Sequence, residues 1–224
     1  MSLMALRDIT MTDLARRVPV IVNSSLTVGE QQIIHIACED FEERSCLTSL
    51  LLGAIPSHYT VAGSVTIQGE TVAPCPETHT WGALKTGFVA LRKSQLRLTQ
   101  TVAAQFSACL DKQSGIVSQE LFLRLLDCFQ LDEACLESYP HQLGPEIKGK
   151  IQVLSEMIKR PQLLIVDGLE VLSPFYRQPL VEQTVHAAHL LGMSIVFWHN
   201  DAKPLMAAPV SYALAKGRLM SLTH

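Results

Sequence analysis

Short continuous apolar runs alternate with segments of helical spacing along this chain, and the alternation predicts an α/β fold. Residues 3–11 and 18–28 are apolar and β-branched with a polar turn between them, and are predicted as two strands. Gly29-Glu30 turns the chain into a buried strand at 32–37. The helix after it is expected to end at Gly53, with Pro56 as a stop. AGSVTIQGETV, residues 62–72, alternates and is predicted as a strand or hairpin arm, and 86–91 as a short strand. From 99 to 137 apolar residues recur at three and four, so this block is helical. A further helix spans 146–159 and is stopped by Pro161. PQLLIVDG at 161–168 and MSIVFWH at 193–199 are predicted as buried strands flanking a helix at 175–191. VSYALAKGRLMSL closes the chain as a hairpin turning at Lys216-Gly217. Buried strands alternating with helices imply a mainly parallel core sheet. The strandless block is predicted as an inserted helical subdomain, 99–138, between the two parts of a core lobe, 1–98 and 139–224.

Composition narrows the function. The 224 residues suffice for one domain with a substantial core. Hydrophobic residues make up 48% and charged residues 17%, which implies either a large buried core or an extra apolar surface for a partner. A net charge of −3 gives no bulk argument for nucleic acid. No apolar run approaches the ~20 residues that span a bilayer, and the N-terminus lacks a signal-peptide layout. A cytoplasmic protein is expected. Six cysteines without any C-x-x-C imply a reducing compartment and buried thiols, and no metal site is predicted. His186 and His189 lie three apart on a helix but have no third ligand near them in sequence. Cys128 and Cys135 lie seven apart on an amphipathic helix and are assigned to the core.

Between the strand at 32–37 and its helix stands CEDFEERSC, residues 38–46, in the rhythm of a phosphate-binding loop but with four acids and no glycine. Its surroundings, VGEQQIIHIACEDFEERSCLTSLLLGAI, resemble the strand, loop and helix of the ATP-binding cassette (ABC) subunit of transporters. AGSVTIQGETV looks like that family's antiparallel β segment. YPHQLGPEIKGKIQVLSEMIKRPQLLIVDGLEVLS resembles the signature segment running into Walker B, SIVFWHND the strand ending in the switch histidine, and YALAKGRLM the closing hairpin. YPHQL and IPSHYTVAGSV lean toward the oligopeptide, dipeptide and nickel importer branch. The resemblance implies an ABC-type P-loop NTPase fold with an antiparallel β segment.

The same resemblance implies sites whose residues here depart from the family. Glycine positions of the loop fall on Cys38, Phe41 and Glu43, and the lysine position is Arg44. Ser45 survives, and the Mg²⁺-ligand position is Cys46, a poor partner for a hard cation. Like charges about 4 Å apart repel by roughly 4 kcal/mol at an effective dielectric of about 20, which sets the acids against a triphosphate. Acids in a first helical turn also have a plain structural use, capping N–H groups and complementing the dipole. No aromatic residue occurs in 1–40 to stack adenine, and the family's γ-phosphate-sensing glutamine falls near Leu91, with Gln95 nearby. The signature becomes Leu143-Gly144-Pro145-Glu146-Ile147. Walker B keeps Asp167, but Gly168 takes the catalytic glutamate's place, and 171–174 replaces the following loop. His199 matches the switch histidine.

The implied function is a degenerate ABC nucleotide-binding subunit without ATPase activity of its own, peripheral on the cytosolic face of the inner membrane. It would act with an ABC permease and an intact ABC ATPase partner, through an open apolar groove beside 99–138. A second reading is an ABC-fold interaction or regulatory protein outside transport. A third is an ATPase working with non-standard motifs, and only this reading brings ATP and Mg²⁺ as cofactors.

Overall fold

The apolar segments that open the chain form β1 (Ser2–Asp13) and β2 (Val18–Gly29), an antiparallel pair. The computed structural model describes residues 2–74, 81–112, 118–200 and 210–222, apart from the side chains at 109, 111, 112 and 210. The run predicted at 32–37 is β3 (Ile33–Ala37), followed by α1 (Phe41–Leu52). The predicted hairpin arm extends to β4 (Tyr59–Ile67) and β5 (Glu70–Val72), and β6 is Thr86–Ala90. The helical block contains α2 (Val102–Lys112), α3 (Gln119–Cys128) and α4 (Glu133–Glu137). Then come α5 (Pro145–Met157), β7 (Leu163–Asp167), α6 (Pro174–Leu191) and β8 (Ser194–His199). The hairpin of β9 (Val210–Ala215) and β10 (Arg218–Ser221) follows.

Two sheets result. One is antiparallel, in the order β2-β1-β4-β5; the other runs β10-β9-β3-β8-β7-β6 and is parallel except for β10. The pleat of the central strands explains the layering, because alternate side chains point to opposite faces. Ile34, Ile36, Ile165 and Trp198 face the antiparallel sheet and α1. Ile33, Val166, Ile195 and Phe197 face the helices α2, α3, α5 and α6. A strand buried on both faces reads as an unbroken apolar run, as β3, β7 and β8 do.

The predicted caps form. Gly53 adopts φ 71° and its amide bonds the Leu50 carbonyl at 3.1 Å. Trp81 Nε1 donates to the same carbonyl at 2.9 Å. Lys216 and Gly217 have φ of 52° and 73°, both left-handed, which matches a two-residue hairpin turn. Gly217 has a further reason to be glycine: a Cβ there would lie 2.6 Å from the Val20 carbonyl oxygen.

A groove lies between the core and the helical block. It has a volume of about 350 Å³ and is lined by Val89, Leu96 and Ala108 together with polar residues such as Gln95, Gln105 and Gln152, and more of its exposed lining is apolar than polar. Several apolar residues of the block turn inward, whereas Leu123 on α3 stays exposed. Val102, Phe106, Leu125 and Phe129 are buried in the same cluster as the sheet face.

Candidate functional site

Only Cys38, Glu39 and Asp40 separate β3 from α1, so the helix begins where a phosphate loop would still be open backbone. Asp40 is its N-cap. Its Oδ1 accepts from the amides of Glu42 at 2.8 Å and Glu43 at 3.0 Å, and a carboxylate suits the positive end of the helix dipole. The remaining acids of the first turn are engaged too. Arg16, from the turn after β1, forms an ion pair with Glu42, its Nη1 at 3.1 Å, and Gly217 N donates to Glu43 Oε1 at 2.8 Å. Burial, together with the charge of Asp40, pushes the Glu43 carboxyl up despite that bond. Burial and the charge of Glu43 push the Cys38 thiol up to about 11, so it stays protonated.

Arg44 lies one turn into the helix and is 1% exposed. Its Nη1 donates to Asp167 Oδ1 at 2.8 Å and lies 3.4 Å from Glu170 Oε1, while Nη2 donates to the Cys38 carbonyl and to Asn200 Oδ1. Burial opposes its charge, but Asp167 and Glu170 outweigh that and hold its pKa above the usual value. Glu170 is shared with Arg92, whose Nε donates to the same Oε1 at 2.6 Å. Burial works against ionising Glu170, yet its own amide, Arg92 and Arg44 bring its carboxyl below the usual range. A buried guanidinium is thus matched by two carboxylates, a carbonyl and an amide oxygen, the arrangement its planar fork favours.

The residues expected at functional positions meet here only in part. Asp167 and Arg44 pair directly. Gly168 has φ 87°, and a Cβ on it would lie 2.9 Å from Arg92 Cγ and 3.0 Å from Arg92 N, so a glutamate there meets both strain and collision. His199 reaches the cluster through its backbone: its carbonyl accepts from Cys38 N at 2.9 Å. Its ring turns inward, 3% exposed, with its centroid 5.8 Å from that of His35. Burial, then the neighbouring His199, lowers the His35 pKa to about 4. Ser45 is exposed and Cys46 is buried in the core with α1. Leu143 to Ile147 form the start of α5, with Gly144 as N-cap, Pro145 in the first turn, and Leu143 and Ile147 against the larger core. Gln95 lines the groove beside α2, its backbone amide bonded to Gln152 Oε1 at 3.2 Å.

Sequence reasoning did not identify Glu170, Arg92, Asn200 or Arg16 as part of this cluster. An arginine in a lysine's place was the available signal, because a charge that cannot be given up requires a fixed counter-charge where it is buried. Among the described residues no group of three His, Cys, Asp or Glu is disposed to hold a metal ion. Cys38 and Cys46 are buried, whereas Cys128 and Cys135 are half-buried against the larger core; Cys75 and the Cys109 side chain lie outside the described residues.

No family model matches the chain. Two curated relatives do, the oligopeptide transport ATP-binding proteins OppD of Escherichia coli and of Salmonella typhimurium. Each is 24% identical over an alignment of 155 positions, with 65% of this chain and 45% of the relative covered. The chain therefore spans about half the length of the curated relatives it matches. Among solved structures, cbiO1 from Clostridium perfringens, part of an ABC transporter complex, aligns with a TM-score of 0.80 at 12% identity. The alignment covers 98% of this chain and 87% of that one. The ATP-binding cassette MJ0796, in a dimeric post-hydrolysis state bound to ADP and Pi, gives 0.74 at 16% identity, covering 99% of each chain. The chain has the fold of ABC ATPase cassettes.

Proposed function

We propose that this chain is a cassette subunit whose own nucleotide position is closed by internal charges, and that it acts without hydrolysing ATP. What carries the reading is Arg44. Its guanidinium is bound to Asp167 and to the Cys38 carbonyl, across the place where a cassette lysine would reach a phosphate. The residues present do not fit Mg·ATP. The helix-start amides of Glu42 and Glu43 already serve Asp40, the acidic partner a divalent cation would need is held by Arg44, and Gly168 supplies no base. The role that follows is docking: to a membrane permease through the groove beside α2, and to an intact cassette partner, peripheral on the cytosolic face of the inner membrane. The fold and the likeness to OppD support this assignment. No helix among the described residues is long and apolar enough to cross a membrane. The test is calorimetric titration of the purified chain with Mg·ATP at low salt. No heat of binding is expected, and a micromolar dissociation constant would overturn the proposal.

A further inference from the structure

We infer that Arg44, Glu170 and Arg92 form a conformational lock, in which ion pairs linked to α1 fix the segment 91–101 and hence the shape of the groove beside α2. The inference deepens the proposed function, resting on it only for what the groove receives. The first observation is the bridge itself. Glu170 Oε1 lies 2.6 Å from Arg92 Nε and 3.4 Å from Arg44 Nη1, so one carboxylate joins the start of α1 to the residue just past β6. The second is independent of charge. The turn after β7 holds Gly168 in the left-handed region, and the space a Cβ would take is occupied by Arg92. The turn is shaped to seat that residue, and Leu91 N bonds the Asp167 carbonyl at 2.8 Å beside it.

Beyond Arg92 the connection continues without a gap. Lys93 N bonds the Ala90 carbonyl at 3.1 Å, and Gln95 N bonds Gln152 Oε1 at 3.2 Å. Gln105 Oε1 accepts from Arg97 N at 2.9 Å, while its Nε2 donates to the carbonyls of Arg97 and Gln100 at 3.2 Å each. Gln105 and Gln152 are buried and line the same groove. The segment is therefore held at one end by the guanidinium–carboxylate bridge and at the other by two side-chain amides. Arg44 draws its charge partner from within the chain, so the anchor at the first end needs no nucleotide. The groove accordingly keeps one form whether or not Mg·ATP is present.

Hydrogen exchange on the full chain, read by mass spectrometry, tests this. Arg92→Met cuts the bridge at the segment but leaves Arg44 with Asp167 and Glu170. Glu170→Gln removes the shared charge and keeps the shape. Amides in 91–97 are expected to exchange about fivefold faster or more in both variants, while α6 and β8 keep wild-type rates. Unchanged exchange in 91–97 would overturn the lock, as would opening of the whole chain by Arg92→Met, because the lock is local. If Glu170→Gln alone opens the whole chain, the Arg92→Met result decides. Wild-type exchange with and without Mg·ATP separates the two proposals. Protection of 38–46 by Mg·ATP refutes the closed nucleotide position, whereas a change confined to 91–97 refutes the lock.

Discussion

A guanidinium with 1% exposure leaves little tolerance for change at Arg44. Removing it strands Asp167 and half of Glu170 beside a buried strand end. Arg44→Ala should lower stability by about 3 kcal/mol in urea unfolding. Arg44→Lys should restore neither Mg·ATP binding nor full stability, since one ammonium cannot reproduce a planar fork with four acceptors. His35 gives a second residue-scale test. Its ring sits 5.1 Å from Phe197, is 1% exposed, and its nitrogens find no hydrogen-bond partner among the described residues. The folded state titrates it near 4 and the unfolded chain near its ordinary value of 6.5. Between those values the unfolded state holds more protons, so stability falls as pH falls below 6.5 and levels off below about 4. The loss from this group is about 2 kcal/mol between pH 7 and 5. His35→Leu should flatten that slope in melts at pH 7, 6 and 5, and an unaltered slope would refute the assignment. The sequence made Arg44 visible as a substitute for lysine. Its partners were not visible, because Asp167 is 123 positions away and reaches it only through the strand order β3-β8-β7.

At the level of elements, the local signals were the legible ones. Gly53 marks the end of α1 as expected, whereas its start at Phe41 under the Asp40 cap comes earlier than the strand–loop–helix rhythm suggested. Asp40→Ala should cost about 1 kcal/mol and Asp40→Asn much less, because asparagine still accepts from the first-turn amides. Gly168→Glu should give no hydrolysis and should destabilise by about 1–3 kcal/mol through its positive φ and its collision with Arg92; turnover in that variant would contradict the geometry. The strands β3, β7 and β8 were legible because both of their faces are buried, which leaves an unbroken apolar run. The work of two buried glutamines was not. Gln105 and Gln152 look like surface positions in a helical pattern, yet they are 9% and 6% exposed and spend their amides on the segment beside α2. Polar side chains used to fasten backbone leave no periodic trace.

For the molecule as a whole, the expected insensitivity to nucleotide can be read as a melting temperature. A ligand at a hundred times its dissociation constant stabilises a fold by about 2.7 kcal/mol. Millimolar Mg·ATP should therefore leave the melt unchanged, and an upward shift of several degrees would mean the nucleotide position is open. The order of the six-stranded sheet has a further consequence, for synthesis. β3 emerges from the ribosome well before its neighbours on either side, β8 and β9, which are encoded after residue 193. The turn that closes on β2 and Glu43 comes later still, at Gly217. At ordinary elongation rates the central strand waits on the order of ten seconds or more for its neighbours, with both edges bare. A nascent chain halted near residue 190 would present that strand to chaperones and proteases, and only synthesis of β8 and β9 would release it into the finished sheet.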